Sequence, residues 1–277
     1  MSSPLVIIPV YNALGQLKAC LDSLTRHLPS EASVLLIDDA STDVKVRPLL
    51  QSWVNGNISN RRLLLHEKNK GFVATVNHGM RLAQRDVILL NSDTEVTAGW
   101  LQCLTNCLES DQSIATATPW SNNGEIVSIP DFCVSCPAPE DADAVASVIK
   151  SCSTPLYPEI PTAVGFCMAI SHQAIEQLGL FDEATFGHGY GEENDFCQRA
   201  EKAGFRNVLC DDAYVVHHGG ASFGPLGLKP DENSMQRLLD KHPDYLQKVS
   251  TYIQADPLAP RRSEILDCLA RAGVVMR

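Results

Sequence analysis

The sequence of 277 residues has no excess of positive charge and no apolar run of membrane length. Its 22 Lys and Arg residues are outnumbered by 33 Asp and Glu residues, for a formal net charge of −11. Because a nucleic-acid backbone binds a basic surface, this balance excludes nucleic acid as the main partner. Residues 1–4 lead directly into an apolar run without a basic flank, so no signal peptide is predicted. We therefore expect a cytoplasmic protein.

Three motifs of common α/β enzymes are also missing. No Gly-x-Gly-x-x-Gly follows the first apolar run, which excludes the usual dinucleotide fingerprint. A Walker A lysine loop is absent, and the absence of Gly-x-Ser-x-Gly argues against an α/β-hydrolase. Any phosphate that this chain binds must therefore be held by something other than a glycine loop, and a metal ion meets that need.

The ten cysteines do not form a recognisable framework. At this length and without a secretory signal, buried free thiols are expected rather than disulfides. Cys133 and Cys136 have the spacing of a metal or redox pair, but no second Cys or His pair follows at finger spacing. We do not predict a zinc site.

Alternating apolar runs and amphipathic segments predict an α/β fold. Strands are predicted at residues 5–10, 34–37, 63–66 and 87–90, and helices at residues 14–27, 44–53, 72–83 and 99–108. This alternation is typical of a parallel sheet with right-handed crossovers. Later strands are expected at residues 114–118, 162–171, 206–210 and 214–216, and later helices at residues 173–178 and 192–203.

Two long stretches remain outside this pattern. Residues 120–161 are rich in Pro, Ser, Asn and Asp, and we expect a long, partly mobile connection over the open edge of the site, with one helix near residues 141–149. Residues 187–191 form a glycine-rich loop. Beyond Pro225, three helical segments are separated by prolines.

Polar residues follow the predicted strands at several points. The octamer ILLNSDTE at residues 88–95 ends in Asp93 and Glu95, whose oxygens suit a hard divalent cation that holds a phosphate. Parallel topology brings this octamer to one edge with Tyr11 and Asp39. Each cluster also has an ordinary explanation: a solvated turn after the fourth strand, a helix cap at residues 38–39, dipole-favoured acids at residues 192–195, and unremarkable histidines at residues 217–218.

Six segments, in order along the chain, resemble the family-two inverting glycosyltransferases with the GT-A fold. They are VIIPVYN at residues 6–12, IDDASTD at 37–43, NKGF at 69–72, LLNSDTE at 89–95, GEEND at 191–195 and HHGGASF at 217–223. The resemblance implies an α/β protein with a mixed, mainly parallel central sheet flanked by helices. It implies a GT-A domain at residues 1–224, and we expect residues 225–277 to form a helical extension packed on it.

The resemblance also implies roles for individual residues. The residues expected to bind the nucleotide are Pro9, Tyr11, Asp39, Asn69, Gly71 and Ser92. Those expected to bind a metal ion are Asp93, His217 and, as a third candidate, Glu95. Glu193 matches the catalytic base, although the family has Asp at that position. The residues expected to contact the acceptor are Tyr190, Glu192 and Asp195. Asn91 departs from the pattern because it replaces the first carboxylate of the family's Asp-x-Asp motif.

The implied reaction moves a sugar from a UDP- or dTDP-type donor to a saccharide or lipid-linked saccharide, with Mn²⁺ or Mg²⁺ as cofactor and with inversion. Surface polysaccharide or O-antigen assembly is the expected setting. A sugar nucleotidyltransferase and a catalytically degenerate sugar-binding module are the alternatives. The arginines near the C-terminus are interpreted as solvated charges on a packed helix, and a peripheral contact with the inner membrane face is the alternative interpretation.

Overall fold

The computed structural model describes residues 3–56, 60–187, 189–219 and 232–276, and these are organised around an eight-stranded sheet. The strands are β1 (Leu5–Val10), β2 (Ser33–Asp38), β3 (Arg61–Leu65), β4 (Val87–Leu90), β5 (Thr94–Val96), β6 (Ile114–Trp120), β7 (Cys167–Ile170) and β8 (Arg206–His217). Their order across the sheet is β3-β2-β1-β4-β7-β6-β8-β5.

Helices cover both faces of the sheet. They are α1 (Leu14–His27), α2 (Val46–Val54), α3 (Phe72–Ala83), α4 (Trp100–Ser110), α5 (Ala142–Cys152), α6 (His172–Leu178), α7 (Glu183–Phe186), α8 (Glu192–Lys202), α9 (Glu232–Lys241), α10 (Tyr245–Ala255) and α11 (Ala259–Ala272). A 3₁₀ turn occupies Glu125–Val127.

The sheet is mixed and mainly parallel. Strands β3, β2, β1 and β4 pair in parallel, and so do β6 and β8. Strand β7 runs antiparallel to both β4 and β6, and β5 runs antiparallel to β8. The α/β class that the alternating pattern predicted is therefore confirmed. The carboxyl ends of β1, β2 and β4 meet at one edge, where ligands bind in open α/β sheets.

The central strands are apolar on both faces because helices cover both faces. On β1, Val6 and Ile8 pack with α1, α4 and β2 in one buried cluster, whereas Leu5 and Ile7 face α3 in another. This arrangement explains why β1, β2 and β4 appear in the sequence as continuous apolar runs rather than as alternating ones.

Strand β8 is one continuous strand, whereas the sequence predicted two short strands at residues 206–210 and 214–216. It is continuous for 12 residues, although Asp211 lies in its middle and is fully buried. The Asp211 carboxylate accepts hydrogen bonds from the backbone N–H groups of Leu156 and Tyr157 and pairs with Arg261 of α11 at 2.7 Å. These partners satisfy the charge, so the strand is not interrupted. Strand β5, which was not predicted, pairs with the end of β8.

The stretches at residues 120–161 and 162–171 also differ from expectation. The first contains the 3₁₀ turn and α5, and residues 126–129 are buried, so it does not form a simple surface connection. In the second, only Cys167–Ile170 forms a strand.

The C-terminal helices pack on the rest of the chain. A disulfide joins Cys152 at the end of α5 to Cys268 on α11, so the expectation of free thiols alone was wrong for this pair, whereas the other eight cysteines are free. The predicted boundary near residue 224 lies outside the described residues. Among those that are described, no helix has the length and apolar character to cross a membrane.

Candidate active site

A cavity of about 430 Å³ opens at the carboxyl ends of β1, β2 and β4. Ten of its lining residues were predicted from the sequence as site residues: Pro9, Tyr11, Asp39, Asn69, Gly71, Asp93, Tyr190, Glu192, Glu193 and His217. Side chains from α8, α9 and α10 form the wall that faces the sheet. The fold therefore gathers residues more than 200 positions apart into one site.

The loops after β1 and β2 are locked together beside this cavity. The Asn12 Oδ1 atom accepts hydrogen bonds from the backbone N–H groups of Thr42 and Asp43, at 2.8 and 2.9 Å. In return, the Asn12 N–H donates to Ser41 Oγ at 2.9 Å. Asp38 accepts the N–H of Ser41 and does not cap α2. The segment that follows each strand is thus fixed before any ligand binds.

Asp39 is buried at the edge of the cavity and has three donors. Its Oδ1 accepts the backbone N–H of Lys70 at 2.9 Å and lies 2.7 Å from His66 Nδ1, and its Oδ2 accepts the N–H of Gly71 at 2.9 Å. Gly71 has a φ of 87°, a left-handed value that favours glycine. Asn69 closes this loop by accepting the Gly71 N–H on Oδ1 at 3.1 Å. The loop of residues 69–71 therefore holds the Asp39 carboxylate.

The octamer after β4 turns sharply. Thr94 Oγ1 donates to the Asn91 carbonyl at 2.7 Å, and Asn91 N–H donates to the Phe166 carbonyl at 2.9 Å. As a result, Asn91 and Asp93 line the cavity, whereas Ser92 between them is buried in the opposite direction and is not a lining residue. The prediction that Ser92 contacts a nucleotide does not fit this placement, because the turn points its side chain into the protein.

His217 is held beside Asp93 by the turn after β6. The Asn122 Oδ1 atom accepts the His217 backbone N–H at 2.9 Å, and His217 Nδ1 lies 2.7 Å from the Asn123 carbonyl oxygen. The ring also stacks on Phe166, with centroids 5.1 Å apart. A carbonyl accepts only, so Nδ1 carries a proton, and Nε2 lies 3.7 Å from Asp93 Oδ1.

Asp93 and His217 fit a divalent cation. A histidine that donates one ring N–H to a carbonyl and presents the other nitrogen to a carboxylate has the orientation of a metal ligand. These two residues are too few for a closed protein site, and no group of three His, Cys, Asp or Glu side chains suited to a metal occurs in the described ranges. The pair therefore fits a cation that takes its other ligands from phosphate and water, as Mg²⁺ commonly does.

Glu95 does not belong to this pair. Its carboxylate lies 2.8 Å from His218 Nε2 and 3.9 Å from Arg26, and it does not line the cavity. Glu95 was predicted as a third metal ligand, but Asp93 lies in the turn before β5, and the Glu95 carboxylate on β5 is engaged with His218 rather than with the cavity. His218 is occupied by the same contact.

The first turn of α8 brings two carboxyl groups into the cavity, Glu192 and Glu193. The preceding Gly191 has a φ of 107°, and a Cβ there would lie 2.9 Å from the Phe186 ring, so glycine is required. Burial and the neighbouring charge of Glu193 raise the pKa of Glu192 well above its ordinary value. Burial also raises the pKa of Glu193, although hydrogen bonds from the backbone and from Glu192 oppose the shift. Glu192, with the higher pKa, thus holds the proton of the pair, and Glu193 is the member that ionises first.

Asp195, the third acid of this helix, lies outside the cavity. It is fully buried, and its carboxylate contacts Lys241 at 2.7 Å, Arg199 at 2.8 Å and His242 at 2.9 Å. Burial opposes ionisation, but the hydrogen bonds from Lys241, His242 and Arg199 outweigh it and lower the pKa of Asp195. The prediction of Asp195 as an acceptor ligand does not fit this placement: two positions along a helix from Glu193, it faces α9 and joins α8 to it.

Some cavity residues were not predicted. Glu125, in the 3₁₀ turn, has a φ of 49° and lines the cavity. Desolvation raises the pKa of Glu125, although its side chain is open to the cavity. The charge of His217 opposes this rise. From the C-terminal region, Leu238 on α9 and Tyr245 on α10 are buried against the cavity. The apolar spacing of these helices was visible in the sequence, but their position was not.

Parts of two predicted motifs lie outside the described residues. These are His188 in the glycine-rich loop and residues 220–223 after the histidine pair.

The strand order and the cavity define the GT-A fold. The structure matches a crystal structure of GalNAc-T7 with UDP, GalNAc and Mn²⁺ over 97% of this chain, with a TM-score of 0.66 and 17% sequence identity. This chain covers 54% of that protein. Residues 5–179 match the family model described as Glycosyl transferase family 2, and the chain belongs to this family. The resemblance seen in the sequence is thereby confirmed.

Two relatives are similar to this chain over different lengths. The uncharacterized glycosyltransferase YibD of Escherichia coli (strain K12) is 32% identical over 112 residues, which are 40% of this chain and 32% of that protein. The N-acetylglucosaminyl-diphospho-decaprenol L-rhamnosyltransferase of Mycobacterium tuberculosis (strain ATCC 25618 / H37Rv) is 25% identical over 252 residues, or 79% of this chain and 77% of that protein. The chain thus spans about a third of the first relative and about three quarters of the second.

Proposed function

We propose that this protein transfers a sugar from a UDP- or dTDP-type donor to a hydroxyl group of a saccharide acceptor, with inversion at the anomeric carbon. The observation that carries the proposal is that one cavity contains both a cation-binding pair, Asp93 and His217, and a base of raised pKa, Glu193. Family membership supports the reaction class.

The donor nucleotide is assigned to the wall formed by β1, β2 and the loop at residues 69–71. Pro9 and Tyr11 present a surface for the base and ribose, and Asp39 accepts a hydrogen bond from the base. Asn69 and Gly71 fix the Asp39 carboxylate and line the same wall. This wall is preorganised, which reduces the entropy that binding must overcome.

Asp93 and His217 would hold a divalent cation, Mn²⁺ or Mg²⁺. When bound, this cation would neutralise charge on the departing nucleoside diphosphate as a Lewis acid. Asn91, which replaces a carboxylate, lines the cavity beside them and offers a neutral amide. The site therefore has fewer anionic ligands than two carboxylates would provide, so cation binding depends more strongly on the donor diphosphate.

Glu193 takes the proton from the acceptor hydroxyl as that oxygen attacks the anomeric carbon. General base catalysis of this kind contributes about 10²–10⁴ in rate. The buried Glu193 Oε2 has no hydrogen-bond partner among the described residues, so it is available to a hydroxyl. The protonated Glu192 donates a hydrogen bond to the Glu193 carboxylate, and this hydrogen bond favours the ionised form of Glu193. Departure of the diphosphate needs no separate acid.

The acceptor is assigned to the side of the cavity formed by Tyr190, Glu192 and the helices α9 and α10. A lipid-linked saccharide is proposed because the mycobacterial relative is an L-rhamnosyltransferase of N-acetylglucosaminyl-diphospho-decaprenol. On this basis residues 1–224 are the catalytic unit, the extension at residues 225–277 contributes α9 and α10 to the cavity wall, and the protein acts in surface polysaccharide assembly at the cytoplasmic face of the membrane.

The test is release of nucleoside diphosphate from UDP-glucose, UDP-N-acetylglucosamine, dTDP-rhamnose and GDP-mannose, with Mn²⁺, with Mg²⁺ and with a chelator. We expect slow, metal-dependent hydrolysis of a uridine or thymidine donor by the wild type and by the control Glu140→Gln, an exposed position outside the cavity. Binding without hydrolysis would favour a sugar-binding module. Formation of a nucleotide sugar from a sugar phosphate and a nucleoside triphosphate would favour a nucleotidyltransferase.

A further inference from the structure

Behind the cavity, the Asp39 carboxylate contacts the first of two paired histidines. His66 follows β3, and its Nδ1 lies 2.7 Å from Asp39 Oδ1. On its other side, His66 Nε2 lies 3.0 Å from Nδ1 of His78 on α3. The two rings are nearly parallel, with an angle of 4° and centroids 5.3 Å apart. Neither histidine lines the cavity, so neither touches a ligand there directly.

The contacts of Asp39 leave room for one further donor. A carboxylate has about four lone-pair positions. His66 and the Lys70 N–H use two of them on Oδ1, and the Gly71 N–H uses one on Oδ2. Because Asp39 lines the cavity, the remaining position is available to a ligand. A carboxylate with one open position accepts a ring N–H, and it repels a ring nitrogen that carries no proton.

With both rings neutral, one order of protons satisfies all three side chains. Asp39 accepts only, so His66 Nδ1 donates to it, His66 Nε2 is then the acceptor, and His78 Nδ1 donates to that nitrogen. Burial, followed by the charges of His66, Lys70 and Arg81, lowers the pKa of His78, which favours its neutral form. Asp39 thus sets the tautomer of His66, and the outer hydrogen bond to His78 holds the His66 ring in that tautomer and orientation.

We propose that His66, supported by His78, is a positioning residue that orients Asp39 so that its open lone pair selects a base with a ring N–H at the Watson–Crick edge. Uracil and thymine carry this donor at N3, whereas cytosine carries an unprotonated N3. This inference rests on the proposed function, because it requires a nucleotide in the cavity. It explains why a buried histidine, with its side chain 2% exposed, lies behind the base wall.

The test compares the binding of UDP, dTDP and CDP, each with Mn²⁺, by titration calorimetry. We expect the wild type to prefer UDP or dTDP over CDP by at least about tenfold, the size expected for one hydrogen bond to a charged group. His66→Leu removes the donor and should reduce this preference by about tenfold. His66→Asn places an amide N–H near the position of Nδ1 and should retain the preference within about threefold.

The outer histidine gives a second, milder variant. His78→Leu should reduce the same preference by about threefold, because the His66 ring then loses the outer hydrogen bond that holds its orientation. The matched control is His172→Asn at the start of α6, where the histidine is partly exposed and pairs with Glu176 outside the cavity. Circular dichroism checks that each variant is folded.

The outcomes separate the two levels of the argument. If the wild type binds none of the three nucleotides, the proposed function fails. If it binds UDP, dTDP and CDP equally, or if His66→Leu and His78→Leu keep the full preference, the positioning role is overturned while the proposed function stands. If His66→Leu does not fold, the nucleotide preferences of His66→Asn and His78→Leu test the positioning role. A role in packing alone predicts that affinity falls equally for all three nucleotides.

Discussion

The two walls of the cavity differ in how their charged groups are satisfied. On the wall from β1, β2 and β4, Asp39 has backbone and histidine donors, and Asp93 faces Nε2 of His217. On the wall from α8, Glu192 and Glu193 lie side by side with desolvation as the main influence on both. The first wall is therefore suited to binding a ligand, and the second wall presents a base, Glu193, whose pKa is raised.

This difference follows from the elements that form each wall. Strand ends and the loops after them offer many backbone N–H groups, which stabilise carboxylates. The start of α8 also offers N–H groups and a favourable dipole, but two adjacent buried acids exceed what one helix end can compensate. Raised pKa values of this kind are common at catalytic sites. The variants below disturb one wall at a time.

Glu193→Gln should have the largest effect. It removes the base and leaves the strand-side wall unchanged, so we expect turnover of the donor to fall by about 10²–10⁴ while UDP affinity with Mn²⁺ changes by less than about threefold. Steady-state release of nucleoside diphosphate and calorimetry measure the two quantities. Turnover within a few-fold of the wild type would remove Glu193 from the mechanism.

Asp93→Asn disturbs only the strand-side wall. We expect Mn²⁺ to strengthen UDP binding in the wild type, and we expect this gain to fall by about 10–100-fold in the variant, because a neutral amide is a weaker ligand for a hard cation. Affinity for UDP without metal should be unchanged. Calorimetry with and without Mn²⁺ tests this, and equal Mn²⁺ dependence in both proteins would contradict the assignment.

Asp195→Asn disturbs the contacts that join α8 to α9 and leaves the carboxyl groups of the cavity unchanged. The buried carboxylate would be lost while Arg199, Lys241 and the buried His242 remain, and the partial exposure of Arg199 and Lys241 limits the cost, so we expect the unfolding free energy to fall by about 2–3 kcal/mol. Urea denaturation measures this change. The control is Asp267→Asn, an exposed position on α11, and equal losses in both variants would show that the cluster stabilises nothing.

The smallest expected effect is a shift of the pH profile. Because the pKa of Glu193 is raised above the ordinary value of 4.5, Glu193 is still protonated where a free glutamate would be ionised. Turnover should therefore rise with pH through this raised pKa. Glu192→Leu removes the hydrogen bond that lowers the pKa of Glu193, so the acidic limb should move to higher pH, whereas Glu192→Gln retains a donor and should leave it near its wild-type position. Equal limbs for both variants would contradict the pairing.

The strand-side wall was largely predictable from the sequence. Each parallel strand ends in a polar cluster, and topology brings those ends together, so Tyr11, Asp39 and Asp93 were found from local patterns. Glu95 and Ser92 were predicted for the same site but do not line the cavity, because a side chain's direction within a turn depends on one residue of register. The pairing of β5 with β8 fixes that register for Glu95, and a local window of sequence does not contain it.

The helix wall was less predictable because long-range packing determines it. The amphipathic pattern of α8 does not reveal that Asp195 meets Lys241 and His242 from α9. Likewise, Glu125 was missed because it lies in a short turn without periodicity. The neighbouring Gly124 was a signal in the sequence, whereas the positive φ of Glu125 becomes visible only with a structure.

The proton NMR spectrum of the first sugar released from a UDP-α-sugar tests the central claim most directly. Attack by water activated by Glu193, on the face opposite the diphosphate held at Asp93 and His217, predicts that the β-anomer appears first and then equilibrates by mutarotation. Initial appearance of the α-anomer would contradict the single displacement and the division of labour between the two walls.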